Sequence, residues 1–599
     1  MGLDINYTGK EKEIMRKIKK NTHKLMSMFL AVLMVFGCFS AWPTQVSAAE
    51  SDYEIYPKPH LMEYQSGDYV IHQNINIVYE DGIDEYTKAR MNEVLAIKKI
   101  NATISNEIKE DQTNILVGIK GSDGYVDKHV SKNYTLKTSG LYDKLDSYLL
   151  ASDNGTITVL GKDTDAAFYG ITSLYHIFNQ MDSYSIRNFV MEDYADVASR
   201  GFIEGYYGNP WSTEDRSELM KWGGYYKLNS YFYAPKDDPK HNSKWRELYS
   251  DEEIETKIKP LAQAGNESKC RFVFALHPYM NNAIRYNSEE NYQADLKVMQ
   301  AKFAQVIEAG VRQIAILADD AGNVGGDNYI KTLKDMTAWI KEMQKTYPDL
   351  KLTLPFCTQE YMGNGQGYYT NFPENVQIVM TGGRVWGEVS NNFTTTFTNN
   401  VGRGPYMWIN WPCTDNSKKH LIMGGYSTFL HPGVDPNKIQ GIVLNPMQQS
   451  EPSKVAIFGN ACYSWNIWET SEEADEIWED SFKYVDHNSA EVTAASDALK
   501  ELSKHMINQN MDSRVTPLQE SVELKDRLNQ FKTALNSGNT ISDDLFTDLI
   551  NEFTKLQTAA KTYRNEAGDT RIKDQIIYWL DCWDDTTEAA IALINGVKA

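Results

Sequence analysis

Apolar and polar positions follow three different rhythms along the chain. Between residue 51 and about 195, short apolar runs alternate with longer periodic stretches. Asn74–Tyr79, Asn114–Ile119 and Thr156–Leu160 have strand character, and Ala166–Asn179 has helix character. A small α/β domain is expected over 49–195. From about 199 to 470, eight brief apolar segments follow: Gly201–Glu204, Ser230–Ala234, Phe272–Leu276, Ile314–Ala318, Leu352–Pro355, Ile378–Thr381, Met407–Asn410 and Gly441–Leu444. Helix-compatible stretches such as Ser212–Gly223, Glu289–Ala309 and Asn328–Lys345 separate most of them. Eight βα units in about 270 residues match a (β/α)8 barrel in number and size, here over 196–470. Beyond 471 the strand signals stop. Ser489–Met506, Pro517–Asn536 and Asp543–Tyr563 carry helical periodicity, with charges on their polar sides, and predict a helical domain over 471–599. The expected class is therefore multidomain α/β: a central (β/α)8 TIM barrel between an N-terminal α/β domain and a C-terminal helical domain.

The N-terminus departs from all three rhythms. Arg16, Lys17, Lys19, Lys20 and Lys24 precede an apolar run, Met26–Phe39, and then the small-residue pattern Val46-Ser47-Ala48. That order is the signature of a secretory signal peptide over 1–48, and the run is short for a transmembrane helix. The alternative, a lipoprotein signal ending at Cys38, is disfavoured by the bulky Phe36. The expected location is extracellular, without a membrane span.

Composition narrows the partners. The formal charge of -21 disfavours nucleic acid and anionic membranes, which bind basic surfaces. The 36 Tyr and 13 Trp supply faces that stack on sugars as readily as they pack a core. Six widely spaced cysteines with no CxxC indicate neither a disulfide framework nor a zinc site.

Candidate chemistry comes from the residues that follow the barrel strands, because active sites of such barrels lie at that end. Lys236-Asp237-Asp238 follows the second strand, Asp319-Asp320 the fourth, and Glu360-Tyr361 the fifth. The seventh ends in Asn410, followed by Trp411 and then Asp415, and Asn445 follows the eighth. Adjacent carboxylates resist double ionisation, so one pKa of the Asp319-Asp320 pair is expected to rise and the pair to titrate as a unit. One acid and one ionised neighbour is the division of labour that glycoside hydrolysis requires. On a regular strand, however, neighbouring side chains face opposite ways, so both reach one substrate only if the backbone leaves the ladder. The pair could instead bind Mg²⁺ or Ca²⁺ with Asp327 and Asn328. Asp237-Asp238 could be a solvated loop or a helix cap, Asn410 and Asn445 turn residues, and Lys236 a surface charge.

Several stretches resemble the family 84 glycoside hydrolases, which include O-GlcNAcases and some enzymes called hyaluronidases. Arg200–Trp211 is similar to that family's first barrel strand, and Lys227–Asn229 through Tyr233–Pro239 to its second. Trp408–Asp415, Asn445–Met447 and Tyr463–Asn466 also resemble it. The resemblance implies substrate-assisted catalysis: the 2-acetamido oxygen attacks C1, an oxazoline forms, and the configuration is retained. It implies that Asp319 holds the acetamido N–H and that Asp320 is the acid/base. Tyr361 would bind the acetamido oxygen. Lys236, Asn410, Asp415 and the Gly201 carbonyl would bind hydroxyls, and Asn445 the sugar or the acid/base. Trp408 and Trp465 would shape the pocket. No metal or other cofactor is implied, and the partner is a glycan or glycoprotein carrying β-GlcNAc. Departures from the family pattern are Tyr206 in place of Phe, the segment Phe356–Gln359, and a loop with Gly322, Gly325 and Gly326. An endo-acting hyaluronidase-type enzyme and a catalytically silent glycan-binding protein are the alternatives.

Overall fold

The computed structural model describes residues 52–508 and 517–599. The signal segment expected over 1–48, with Cys38, lies outside the described residues.

The first sheet has seven strands: β1 (Leu61–Val70), β2 (Asn74–Tyr79), β3 (Asn101–Ser105), β4 (Asn114–Ile119), β5 (Leu145–Asp153), β6 (Thr156–Gly161) and β7 (Ser185–Ala195), in the order β1-β7-β5-β6-β4-β2-β3. The β3-β2-β4-β6 portion is parallel, and β5, β7 and β1 add antiparallel strands. The two edges, β1 and β3, expose most of their side chains, so they carry little hydrophobic periodicity and do not stand out in the sequence. The helix Thr164–Gln180 covers one face. Asp163 caps it by accepting from the Ala166 N–H, and its buried Tyr169 packs edge-on against Trp465. Val126 and Val130 of the helix Tyr125–Asn133 cover a second cluster, with Val78, Leu116 and Leu160.

Eight further strands, all parallel, close into a barrel: β8 (Ser199–Ile203), β9 (Ser230–Tyr233), β10 (Arg271–Leu276), β11 (Gln313–Leu317), β12 (Leu354–Cys357), β13 (Val376–Met380), β14 (Tyr406–Ile409) and β15 (Gly441–Leu444). The barrel is closed by β15 pairing β8, with Gly441 opposite Ser199. Burial on both faces explains why most of these strands read as largely apolar runs. Ile203, Phe232, Val273, Ala315, Leu317, Cys357, Val379 and Val443 fill the interior, while Phe202, Tyr231, Phe272, Ile314, Ile316, Phe356 and Ile378 face the surrounding helices. The observed strands lie within about two residues of the expected segments, the usual uncertainty of element ends. After β15 the helix Lys454–Trp465 is buried along its whole length.

The remaining chain is helical: Ser471–His487, Ala494–Ser503, Val522–Ser537, Asp543–Glu566, Thr570–Gln575 and Ile577–Lys598. The expected Ser489–Met506 helix begins later because Thr493 forms a capping box with Ser496. No helix among the described residues is long and apolar enough to cross a membrane.

The first sheet meets the barrel through a buried charge cluster. Asp193 of β7 accepts from Lys227 Nζ at 3.0 Å, Tyr148 OH at 2.6 Å and Trp465 Nε1 at 3.0 Å. His60 reaches it through Nδ1 at 3.1 Å and pairs with Asp196 through Nε2 at 3.4 Å. Burial alone would lower the His60 pKa, but Asp193 and Asp196 outweigh it and raise the value from 6.5 to about 9. A raised folded-state pKa adds stability that is complete below the unfolded value and is lost as pH climbs through the folded one. Thermal midpoints are therefore expected to fall between pH 6.5 and about 9, and to fall less in His60→Gln. An equal alkaline decline in both proteins would remove His60 as the cause.

Candidate active site

Residues just beyond seven of the barrel strands line one pocket: Gly205 and Tyr207 after β8, Lys236 after β9, Asp319 and Asp320 after β11, Tyr361 after β12, and Thr381, Val385 and Trp386 after β13, with Trp408, Asn410 and Asp415 from β14 and its loop and Asn445 after β15. His277, directly after β10, supports the pocket from behind. Its Nε2 donates to the Asp319 carbonyl oxygen at 2.7 Å and lies 3.5 Å from Asp319 Oδ1.

The backbone resolves the strand-alternation difficulty of the aspartate pair. β11 ends at Leu317, and Asp320 takes a left-handed conformation with φ 54°. Left-handed backbone is uncommon outside glycine and more accessible to Asp and Asn than to most residues. It reverses the alternation, so both carboxylates face one pocket. The two then find different partners. Asp319 is nearly buried, and Lys236 Nζ lies 3.3 Å from its Oδ2. Burial would raise the Asp319 pKa, but Lys236 and His277 outweigh it, and the group is held below the ordinary carboxylate value. Of the expected pair, Asp319 is thus the ionised member, because an ammonium faces it more closely than the sequence reveals. Asp320 accepts from Tyr361 OH at 2.9 Å through Oδ1 and from Tyr207 OH at 3.1 Å through Oδ2.

Side-chain amides and an indole build the opposite wall. Asn410 Oδ1 accepts from both Trp408 Nε1 and Asn445 Nδ2 at 2.9 Å, and Asn410 Nδ2 donates to the Val385 carbonyl at 2.7 Å. Asn445 Oδ1 accepts from the Gly205 N–H at 3.2 Å. Gly205 is required sterically, since a Cβ there would lie 2.5 Å from the Trp408 ring. Asp415 accepts from the Tyr207 N–H at 2.8 Å, and burial raises its pKa above the ordinary carboxylate value. Lys236 sits 5.1 Å from the Tyr207 ring centroid.

Eight of the residues singled out in the sequence thus meet in this pocket: Lys236, Asp319, Asp320, Tyr361, Trp408, Asn410, Asp415 and Asn445. Two do not. Gly201 lies inside β8, where its carbonyl accepts from Asn460 Nδ2 at 2.9 Å, and a Cβ would fall 1.7 Å from the Ser230 oxygen. The glycine that lines the pocket is Gly205, at the strand's end. Trp465 is fully buried at the end of its helix, where Nε1 donates to Asp193 on the first sheet. It shapes the interface between sheet and barrel. Asp238 is tied to Tyr233, Tyr249 and Lys257 outside the pocket, and those contacts hold its pKa at about 2 against the opposing effect of burial. Tyr207, Thr381, Trp386 and His277 were missed. Tyr207 and His277 carry a usable signal, a polar group just past a strand. Thr381, directly after β13, carries the same signal, whereas Trp386 sits in an irregular loop whose course only the fold sets.

Metal binding fits this donor set poorly. The position beside Asp319 Oδ2 is held by the Lys236 ammonium, and Asp327 and Asn328 open the following helix, away from the pocket. Among the described residues, Glu501, His505 and Glu552 have metal-like spacing. Lys555 Nζ already lies 2.7 Å from both of those carboxylates.

A profile described as beta-N-acetylglucosaminidase matches residues 200–504, and one described as glycosyl hydrolase family 20, domain 2 matches 52–194. The solved structure of CpGH84D is 38% identical, covers 91% of this chain and 89% of its own, and superposes with a TM-score of 0.83. CpGH84B, at 24% identity, covers 91% of this chain and 92% of its own with a TM-score of 0.76, a likeness of fold. The Protein O-GlcNAcase of Rattus norvegicus is 29% identical over 279 residues, which are 43% of this chain and 29% of that protein. The chain thus spans under a third of the length of that curated relative. Profile, sequence and structure agree that this chain belongs to the beta-N-acetylglucosaminidase family, family 84 of the glycoside hydrolases.

Proposed function

We propose that this protein is a retaining exo-β-N-acetylglucosaminidase that removes terminal β-linked GlcNAc, including O-GlcNAc on proteins, through an oxazoline intermediate. The observation that carries this reading is the pair of consecutive carboxylates facing one pocket with different partners. A retaining enzyme with its own nucleophile uses two carboxylates flanking the scissile bond. Here Asp319 and Asp320 approach from a single loop, and the third pocket carboxylate, Asp415, is bonded to the Tyr207 backbone. The substrate's acetamido oxygen therefore serves as nucleophile. Asp319, kept ionised by Lys236, accepts the acetamido N–H and sharpens that oxygen. Asp320 gives a proton to the leaving oxygen, then takes one from the attacking water. Tyr361 OH donates to the acetamido oxygen as the ring closes. Asp415, Asn410 and Asn445 bind hydroxyls, and Trp408 and Trp386 bound the sugar. The basic and apolar segment at 1–48 supports action outside the cell, on glycans or glycoproteins.

The test is hydrolysis of an aryl β-N-acetylglucosaminide followed by NMR. The β-anomer is expected first, with competitive inhibition by a GlcNAc-thiazoline at a Ki about 10² or more below KM, as befits an intermediate mimic. First formation of the α-anomer, or thiazoline binding no tighter than substrate, would overturn substrate assistance.

A further inference from the structure

A second concave site lies where the loop after β14 meets the C-terminal helices. Asp415 of that loop lines the catalytic pocket, and Lys419, His420 and Leu421 of the same loop line this cleft. Consecutive Cα atoms are about 3.8 Å apart, so Asp415 and Lys419 lie within about 15 Å of each other. A short oligosaccharide bridges that distance. The facing wall comes from the helix Ile577–Lys598, whose Trp579, Cys582, Trp583 and Thr586 share one helical face. Both indoles are half-buried and fixed in orientation. Trp579 Nε1 donates to the Lys419 carbonyl at 3.0 Å, and Trp583 meets the His505 ring edge-on with centroids 5.6 Å apart. His505 is itself set by Ser521 Oγ, 2.7 Å from its Nδ1, and Glu520 adds a carboxylate.

Rigid aromatic surface beside a few anchored polar groups is what a pyranose binds. Its C–H face stacks on an indole, its hydroxyls bond the rim, and little rotamer freedom is lost. A peptide would need main-chain partners. This cleft is walled by helix side chains and a loop whose Lys419 carbonyl is already taken. The -21 charge of the chain disfavours an anionic polymer, and within the cleft Lys419 is offset by Glu520.

We propose that the cleft is a second saccharide subsite, taking uncharged sugar residues of the substrate glycan beyond the GlcNAc cleaved in the pocket. The proposal rests on the hexosaminidase reading for its link to turnover, but not for binding. It makes the enzyme prefer GlcNAc that ends a longer glycan over GlcNAc on a small aglycone.

The experiment uses the whole protein, Trp579→Ala and Trp579→Phe, with an aryl β-N-acetylglucosaminide and chitotetraose as substrates. In Trp579→Ala the aryl glycoside is expected to keep its kcat/KM, which also reports folding. KM for chitotetraose rises about five- to tenfold, in line with the worth of an aromatic contact, and Phe restores part of it. Cys582 supplies a readout independent of turnover, being the one exposed thiol among the five described cysteines. Chitotetraose should slow its alkylation by N-ethylmaleimide, located by peptide mass mapping. An unchanged chitotetraose KM in Trp579→Ala together with no protection of Cys582 would overturn the proposal. So would protection by an O-GlcNAc peptide but not by chitotetraose, which would make the cleft a peptide groove. If wild type fails to cleave the aryl glycoside, the hexosaminidase reading falls, while Cys582 protection still decides whether the cleft binds saccharide.

Discussion

Asp320→Asn should lower kcat/KM on an alkyl or saccharide β-N-acetylglucosaminide by about 10² to 10⁴, the range a positioned general acid supplies. On a dinitrophenyl glycoside, whose leaving group departs without a proton, the loss in kcat/KM should stay within about tenfold. The reasoning is geometric. Asp320 is held by Tyr361 and Tyr207, and neither contact neutralises charge. Asp319 is instead matched to an ammonium and serves as an anion. Asp319→Asn should therefore depress both substrates alike, because positioning of the acetamido group precedes bond cleavage whatever the leaving group. Steady-state kcat/KM on the two glycosides separates the roles. A loss from Asp320→Asn that is equal on both would take the acid role away from this residue.

The largest stability effect is expected at a residue far from the chemistry. Asp193→Ala leaves Lys227 as a fully buried ammonium with no counter-charge, and breaking a buried pair from one side typically costs about 3–5 kcal/mol. The pair is unequal. Burial depresses the Lys227 pKa despite its partner, while burial of Asp193 is overcome by Lys227, His60 and Tyr148, and its pKa is lowered. Asp193 is the hub, and its loss also orphans Trp465 Nε1, while Tyr148 OH keeps only Ser173 Oγ and Lys227 Nζ. Urea unfolding should show the drop. Asp193→Leu combined with Lys227→Met should recover part of it, since no charge then remains buried. A single variant as stable as wild type would show that the cluster adds nothing to the joint between sheet and barrel.

Much of this architecture is legible in local pattern because local physics sets it. A barrel strand buried on both faces is mostly apolar, so β10 and β11 are unbroken runs after their first residues, Arg271 and Gln313, and lead to His277 and to Asp319-Asp320. Edge strands need no such pattern, and β1 and β3 left none. Trp465 shows the limit from the other side. A buried indole must find an acceptor, but nothing near it in sequence says whether that acceptor belongs to a sugar or to Asp193, 272 residues earlier.

The sequence by itself determined the alternation of strand and helix, the end of the barrel where polar groups gather, and the adjacency of two aspartates. Each depends on side chains within a few residues of one another. Tertiary structure alone decided that Asp320 adopts φ 54°, so that both carboxylates share a pocket, and that the Lys236 ammonium faces Asp319. It also decided that Gly205, packed under Trp408, lines the site while Gly201 permits the close approach of β8 to Ser230 of β9. These outcomes depend on distances between strands whose neighbours are set by barrel closure, and such distances have no local trace in the chain.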